Sequence, residues 1–138
     1  AVPMVATLSL TFDELDHQTA SMTLPDQSAY HNHVGGPHAG AMFTLAESAS
    51  GALVLANFGD RLGDATPLAV EATIRYLKLA MGPVTATARM MRSGEEILGE
   101  LDRGGRPEFL VEIDLTSSDG TVTGQMTIVW TLKPNKRS

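Results

Sequence analysis

Asn32-His33-Val34-Gly35-Gly36-Pro37-His38-Ala39-Gly40-Ala41-Met42-Phe43-Thr44-Leu45-Ala46-Glu47 leads into an apolar run that continues to Ala56. From Ala39 to Ala56 the residues predict one helix of roughly 18 residues, about 27 Å long. Small or apolar side chains occupy nearly every side of it, so no wet face is evident. Such a helix is expected to be buried, wrapped by a sheet. Glu47 is the only charged residue in the run. An ionised carboxylate on a buried helix costs several kcal/mol unless it is paired, hydrogen-bonded or open to a wet cleft.

Working outward, Val5 to Asp16 and Thr19 to Leu24 alternate as strands, with a polar turn at Glu14 to Gln18 between them. Pro25 to Ser28 breaks the second, and a loop runs to Gly36. Pro37 suits a first helical turn, and Gly59 suits a left-handed cap at the helix end. Asp60 to Asp64 reads as a loop. Leu68 to Leu79 reads as a long strand, and Val84 to Met91, after Gly82-Pro83, as its hairpin partner. Ser93 to Leu101 carries apolar residues at helical spacing and stops at Gly104-Gly105. Phe109 to Thr116 and Val122 to Leu132 alternate as strands about the Ser118-Asp119-Gly120 turn. The tail from Lys133 to Ser138 is expected to fray. The expected class is therefore α+β: an antiparallel sheet of five or six strands around one central helix, a single domain over residues 1–138.

The composition narrows the function. The chain has 138 residues, 43% apolar and 19% charged, with 10 basic and 16 acidic residues and a net charge of −6. An acidic balance speaks against nucleic acid as a partner. There is no cysteine, which removes disulfides, thiolate metal sites and Cys nucleophiles and fits a cytoplasmic location. Only the 39–56 run is long enough to span a membrane, and Thr44, Glu47, Ser48, Ser50 and Gly51 suit a protein interior better. No signal peptide is expected, since Ala1-Val2-Pro3-Met4 lacks a basic region.

Glu47 has two readings. It is either a structural carboxylate paired with Arg75 or Arg89, or a general base or nucleophile in a cleft. Gly35 and Gly36 would let the backbone approach a ligand, and the N–H groups of Ala39 and Gly40 would point out of the helix end. Donors of that kind stabilise an oxyanion. Asn32 either polarises a carbonyl and orders water, or caps its own loop. Ala39 and Glu47 lie eight residues apart, about 12 Å along one axis. One Glu side chain does not reach a carbonyl carbon shared with the Ala39 amide over that distance. If both act on one acyl group, they come from two subunits related by a two-fold axis.

Other motifs fail on their residues. His31, His33 and His38 lack a nearby acidic ligand at recognisable spacing, so no metal is expected. The Gly35 to Gly40 spacing lacks the Lys-Ser/Thr of a phosphate loop, and no G-x-S-x-G elbow occurs.

The segment from Asn32 through His38-Ala39-Gly40 to Glu47 resembles the signature of the hotdog-fold acyl-CoA thioesterases. It is most similar to the phenylacetate-pathway and hydroxybenzoyl-CoA branch and its uncharacterised relatives. That signature runs from an Asn or Gln through His-Gly-Gly and an apolar helix to Asp or Glu. The resemblance implies a hotdog fold and a homodimer, with a tetramer as the alternative. It implies hydrolysis of an acyl-CoA or other acyl thioester, with no cofactor. Glu47 would be the catalytic carboxylate, the Ala39 N–H the oxyanion donor, and Asn32 the group that binds the carbonyl or orders water. Substrate-binding positions would be Gly40, His38, Met42 and Phe43, the acyl tail lying near Met42, Phe43, Met90 and Met91. Arg61, Arg75, Lys78, Arg89 and Arg92 are the candidates for a CoA nucleotide.

Two positions depart from the pattern. Ala39 replaces the first Gly of His-Gly-Gly, and Ala69 stands where some members carry a Ser or Thr helper, with Ser48, Ser50 or Thr73 as substitutes. These departures motivate a second reading, a non-catalytic acyl-CoA or fatty-acyl binding module on the same fold. A hotdog dehydratase using His38 is a third.

Overall fold

The computed structural model describes residues 3–136. In chain order these form α1 (Pro3–Thr7), β1 (Thr11–Leu15), β2 (Thr19–Leu24), α2 (Ala39–Phe58), β3 (Ala65–Tyr76), β4 (Val84–Met90), α3 (Gly94–Asp102), β5 (Glu108–Ser117) and β6 (Val122–Pro134). The strands make one antiparallel sheet in the order β1-β2-β4-β5-β6-β3. A single antiparallel sheet packed around one long helix is the expected hotdog arrangement.

Alternation puts one face of each central strand into the core. Ala20, Met22 and Leu24 of β2 do this, as do Val84, Ala86 and Ala88 of β4 and Val111, Ile113 and Leu115 of β5. The alanines of β4 matter most, because α2 lies chiefly over β2 and β4 and their small side chains let it settle close. From above, Leu45, Ala49 and Leu53 are fully buried against the sheet. Each leucine there contributes about 1.5–3 kcal/mol of hydrophobic stabilisation.

The helix is nonetheless covered on one side only. Phe43 and Leu55 are exposed, and Thr44, Glu47, Ser48 and Gly51 are half-buried on the same face. The expectation of a helix wrapped all round is corrected accordingly. Strand β3 is the second uncovered surface. It pairs with β6 from Ala65↔Pro134 to Tyr76↔Gly124, and its other edge has no strand beside it among the described residues. Leu68 and Val70 are both exposed on it. A long apolar edge of this kind is a template for another chain.

Several boundaries differ from expectation. Val5 and Leu8 belong to a short helix and its exit rather than to a strand; their spacing of three lets both pack on the core. Strand β1 starts only after Ser9, which adopts a left-handed φ of 55°. The turn after it is confined to Asp16 to Gln18, Glu14 and Leu15 being in β1. Strand β4 is not the hairpin partner of β3. The segment after Tyr76 passes the end of β6, where Leu77 and Lys78 donate to the Thr123 carbonyl, and delivers β4 between β2 and β5. Ala86 and Ala88 suit that central place under α2, whereas the bulky outward residues of β3 do not.

Pro37 precedes the N-cap instead of opening the helix, and bridges to His31. Gly59 is right-handed, φ −61°, because the chain continues into a 3-10 turn over Gly59–Arg61. The tail is held further than expected. β6 includes Lys133 and Pro134, and Asn135 bonds the Asp64 and Leu62 carbonyls and the Thr66 hydroxyl. Arg137 and Ser138 of that tail, and Ala1 and Val2 of the start, lie outside the described residues.

Candidate active site

The loop that delivers α2 is built around Asn32. Its Oδ1 accepts from the backbone N–H groups of Val34 (3.0 Å) and Gly36 (3.1 Å), and its Nδ2 leans on the Pro37 carbonyl at 3.4 Å. Asn32 therefore does cap its own loop. One N–H of its amide remains without a partner among the described residues. Gly35 has φ +81°, a left-handed conformation that favours glycine. Gly36 is required for a different reason from the expected one: a Cβ there would sit 2.3 Å from the Ala80 carbonyl oxygen. The close approach is to the chain's own backbone, not to a ligand.

His38 is the N-cap of α2, and its Nδ1 accepts from the Gly40 N–H at 2.9 Å. That engages one of the two donors expected at the helix start. The Ala39 N–H has no acceptor among the described residues. Ala39 lines a cleft of about 350 Å³ together with Asn32, Met42, Tyr76 and Lys78. Tyr76, at the end of β3, donates its hydroxyl to the Ala39 carbonyl at 3.2 Å, and partial burial raises its pKa. Sequence reasoning missed Tyr76, since nothing local links it to a residue on α2.

Glu47 lies on the uncovered face of α2 in a second cleft of about 460 Å³. Val5, Phe12, Met22, Leu55 and Trp130 wall it, and Ser48 and Gly51 lie beside the carboxylate. Among the described residues Glu47 makes no hydrogen bond and no ion pair. Arg89, its expected partner, binds Asp114 at 2.9 Å and Glu112 at 3.4 Å instead. Arg75 is on exposed β3, paired in register with Gln125 of β6. Desolvation alone pushes the Glu47 carboxyl above its ordinary value. A half-buried acid with no counter-charge is a poised proton acceptor in form.

The expected site residues thus fall into two groups. Asn32, Ala39 and Met42 share one cleft, with His38 and Gly40 adjoining it in sequence; Glu47 stands in another. Phe43 is exposed on the helix face between them. Met90 and Met91, placed on the acyl path by the sequence, line a third and larger cleft of about 990 Å³ beside α3, away from both. Of the proposed helpers, Ser50 is fully buried and accepts the Trp130 indole N–H at 2.6 Å, Thr73 is exposed on β3, and Ser48 lines the Glu47 cleft. Arg61 is tied to Asp64 and Asp102, and Arg92 to Glu96 and Glu100. Lys78 makes no ion pair within salt-bridge distance among the described residues. His31 bonds Asp26 at 2.6 Å, and no group of three potential ligands converges among the described residues.

Residues 1–132 match the family described as a domain of unknown function, DUF4442. The chain belongs to the DUF4442 family. No curated protein matches this DUF4442 chain. Among solved structures it is similar to a protein of unknown function and probable thioesterase from Pseudomonas aeruginosa, at 28% identity and TM-score 0.86, covering 97% of this chain and 89% of that one. A mutant thioesterase from the same organism superposes at TM-score 0.78 with 21% identity, over 96% of this chain and 86% of that one. A mutant thioesterase enzyme from Staphylococcus aureus does so at 0.77 with 19% identity, over 96% and 100%. The last two bear on the fold of the DUF4442 chain alone.

Proposed function

We propose that this protein is a thioester hydrolase acting on an acyl-CoA or similar carrier thioester across a homodimer seam. The observation that carries the reading is the unpaired, half-buried Glu47 carboxylate in an apolar cleft on the uncovered face of α2. The probable thioesterase from Pseudomonas aeruginosa, similar over nearly the whole chain, supports the same reaction class.

The seam is formed by the bare edge of β3 and the bare face of α2. Pairing β3 with its two-fold mate would satisfy its edge groups and cover Leu68 and Val70. It would also bring the Glu47 cleft of one chain against the Ala39 cleft of the other, as the 12 Å estimate along the helix requires.

At such a site Glu47 accepts a proton from water as the water oxygen attacks the thioester carbonyl carbon. The carbonyl oxygen becomes an oxyanion held by the Ala39 N–H at the positive end of α2 and by the remaining amide N–H of Asn32. Collapse re-forms the carbonyl and breaks the C–S bond. The leaving thiolate takes the proton back from Glu47, giving acid and thiol. Lys78, beside Ala39, meets the anionic carrier.

A non-catalytic acyl-thioester binding module is the second reading. The observation that favours it is the engagement of Asn32 Oδ1 with its own loop, which limits how that side chain orders water. A thioester panel assayed on wild type and Glu47→Gln separates the two. Hydrolysis that falls at least about 10²-fold in the variant supports the enzyme. Tight binding without turnover in either protein supports the module.

A further inference from the structure

The Glu47 cleft has features that the hydrolase reading does not use. Glu47 carries the only ionisable side chain on its wall, and no Lys or Arg lines it among the described residues. The Trp130 N–H on that wall is already engaged by Ser50. A phosphate or a second carboxylate placed here would face Glu47 with no counter-charge, in a poorly solvated space. Hydrocarbon would meet Met22, Leu55, Pro67 and Trp130.

Gly51 is the second feature. It lies one turn beyond Glu47 on the same face of α2, at a mid-helix position where glycine is a poor former. A Cβ built on it would meet nothing within 4 Å, so the packing of this chain does not require its absence. Phe12, on the edge strand β1, also lines the cleft while remaining largely exposed. Both positions bound the apolar volume that begins at the carboxylate.

We propose that the acyl part of the substrate is an uncharged hydrocarbon chain lying in the Glu47 cleft, and that Gly51 and Phe12 set the length accepted. The inference rests on the hydrolase reading above. It divides the substrate between the two clefts: hydrocarbon beside Glu47, polar carrier beside Ala39 and Lys78.

The test measures kcat/KM for straight-chain acyl-CoAs from acetyl through palmitoyl, and for malonyl- and succinyl-CoA. Wild type, Gly51→Phe, Gly51→Ala and Phe12→Ala are compared, with sedimentation to establish that each variant keeps the wild-type assembly. In wild type, kcat/KM should climb roughly tenfold or more over the first added methylenes and then fall, with the dicarboxylic substrates inert. Gly51→Phe should lose at least about tenfold on the longest good substrate relative to acetyl-CoA, and Phe12→Ala should move the optimum to longer chains. Gly51→Ala, which a helix accepts readily, covers the case in which Gly51→Phe fails to fold.

Displacement of the uncharged ester methyl cis-parinarate gives a readout independent of turnover. Methyl parinarate binding weakened by Gly51→Phe, with no thioester cleaved, overturns the hydrolase reading and retains the hydrocarbon cleft. Thioester cleavage with a length profile that no variant moves, or with succinyl-CoA preferred, overturns the cleft assignment and leaves hydrolysis standing. A wild type that neither binds methyl parinarate nor cleaves any thioester overturns both.

Discussion

Arg89 lies 2.9 Å from Asp114 through Nη1, and so does not serve as a counter-ion for Glu47. The same guanidinium also reaches Glu112 on the neighbouring strand. With Arg89 held on the outer face of the sheet, the carboxylate on α2 is left to its apolar cleft. Most of what this protein is expected to do follows from that separation.

The first consequence concerns pH. Burial raises the Glu47 pKa above its ordinary 4.5. Between the unfolded and folded values, the folded state holds the proton more tightly, so stability falls as pH rises through that window. The cost is absent below about 4.5 and fully present above the folded pKa. Glu47→Gln removes it, and the variant should unfold about 0.5–1 kcal/mol later than wild type at neutral pH, with the gain vanishing in acid. Urea unfolding of both proteins across pH measures this. An equal or lower midpoint for the variant at neutral pH would show that Glu47 is compensated in solution.

The same shift governs rate. Glu47 must be ionised to accept a proton, so kcat/KM should decline toward acid on a one-proton limb whose midpoint lies above 4.5. Glu47→Gln should cost at least about 10²-fold and abolish that limb. A retained limb in the variant would assign the titration to another group.

At the helix start, Ala39→Pro is an unusually clean probe. Ala39 is the first helical residue, and His38 before it is already extended at φ −64°, ψ 141°, the conformation a following proline demands. The substitution deletes the N–H while leaving the helix intact. Its expected cost is about 3–4 kcal/mol in transition-state stabilisation with little change in Tm. Activity near wild type would remove Ala39 from the oxyanion site.

How far the sequence carried these residues depends on the range over which each is determined. The central helix was legible because its apolar run and its solitary Glu47 are local facts. So were α3, from the helical spacing of Ile97, Leu98 and Leu101, and the alternation of β5 and β6. The neighbour of β3 was not legible, since Ala65 to Tyr76 finds β6 beyond the whole of β4, α3 and β5 and no turn residue advertises that pairing. Val5 and Leu8 misled because a spacing of three in a short run fits a ragged strand as well as one helical turn. Asn32 was ambiguous by nature: loop cap and carbonyl donor need the same amide, and only coordinates reveal that its oxygen is engaged. Gly51 was visible four residues after Glu47, but its meaning needed the empty space around it.

Ser50 and Trp130 form the buried polar contact behind the Glu47 cleft, Nε1 to Oγ at 2.6 Å. Ser50→Ala leaves the indole N–H without a partner and should destabilise the fold by about 1–3 kcal/mol, lowering Tm by several degrees. In the Trp130→Phe background the same change should cost much less, because no orphaned donor remains. Equal costs in both backgrounds would show that the hydrogen bond carries no weight in holding Trp130 against the cleft.

The sharpest check on the shared seam uses two inactive chains. If Glu47 and Ala39 act on one acyl group from different subunits, Glu47→Gln and Ala39→Pro homodimers each lack a complete site. A mixed dimer has one intact site, formed by Glu47 of the Ala39→Pro chain and Ala39 of the Glu47→Gln chain, and one doubly defective site. Random mixing makes about half the dimers mixed, so activity should recover to about a quarter of wild type. Unfolding the two variants together, refolding them and assaying against each refolded alone gives the comparison. If both groups worked within one chain, mixing would restore nothing, and the bare β3 edge and α2 face would have to be explained by some other partner.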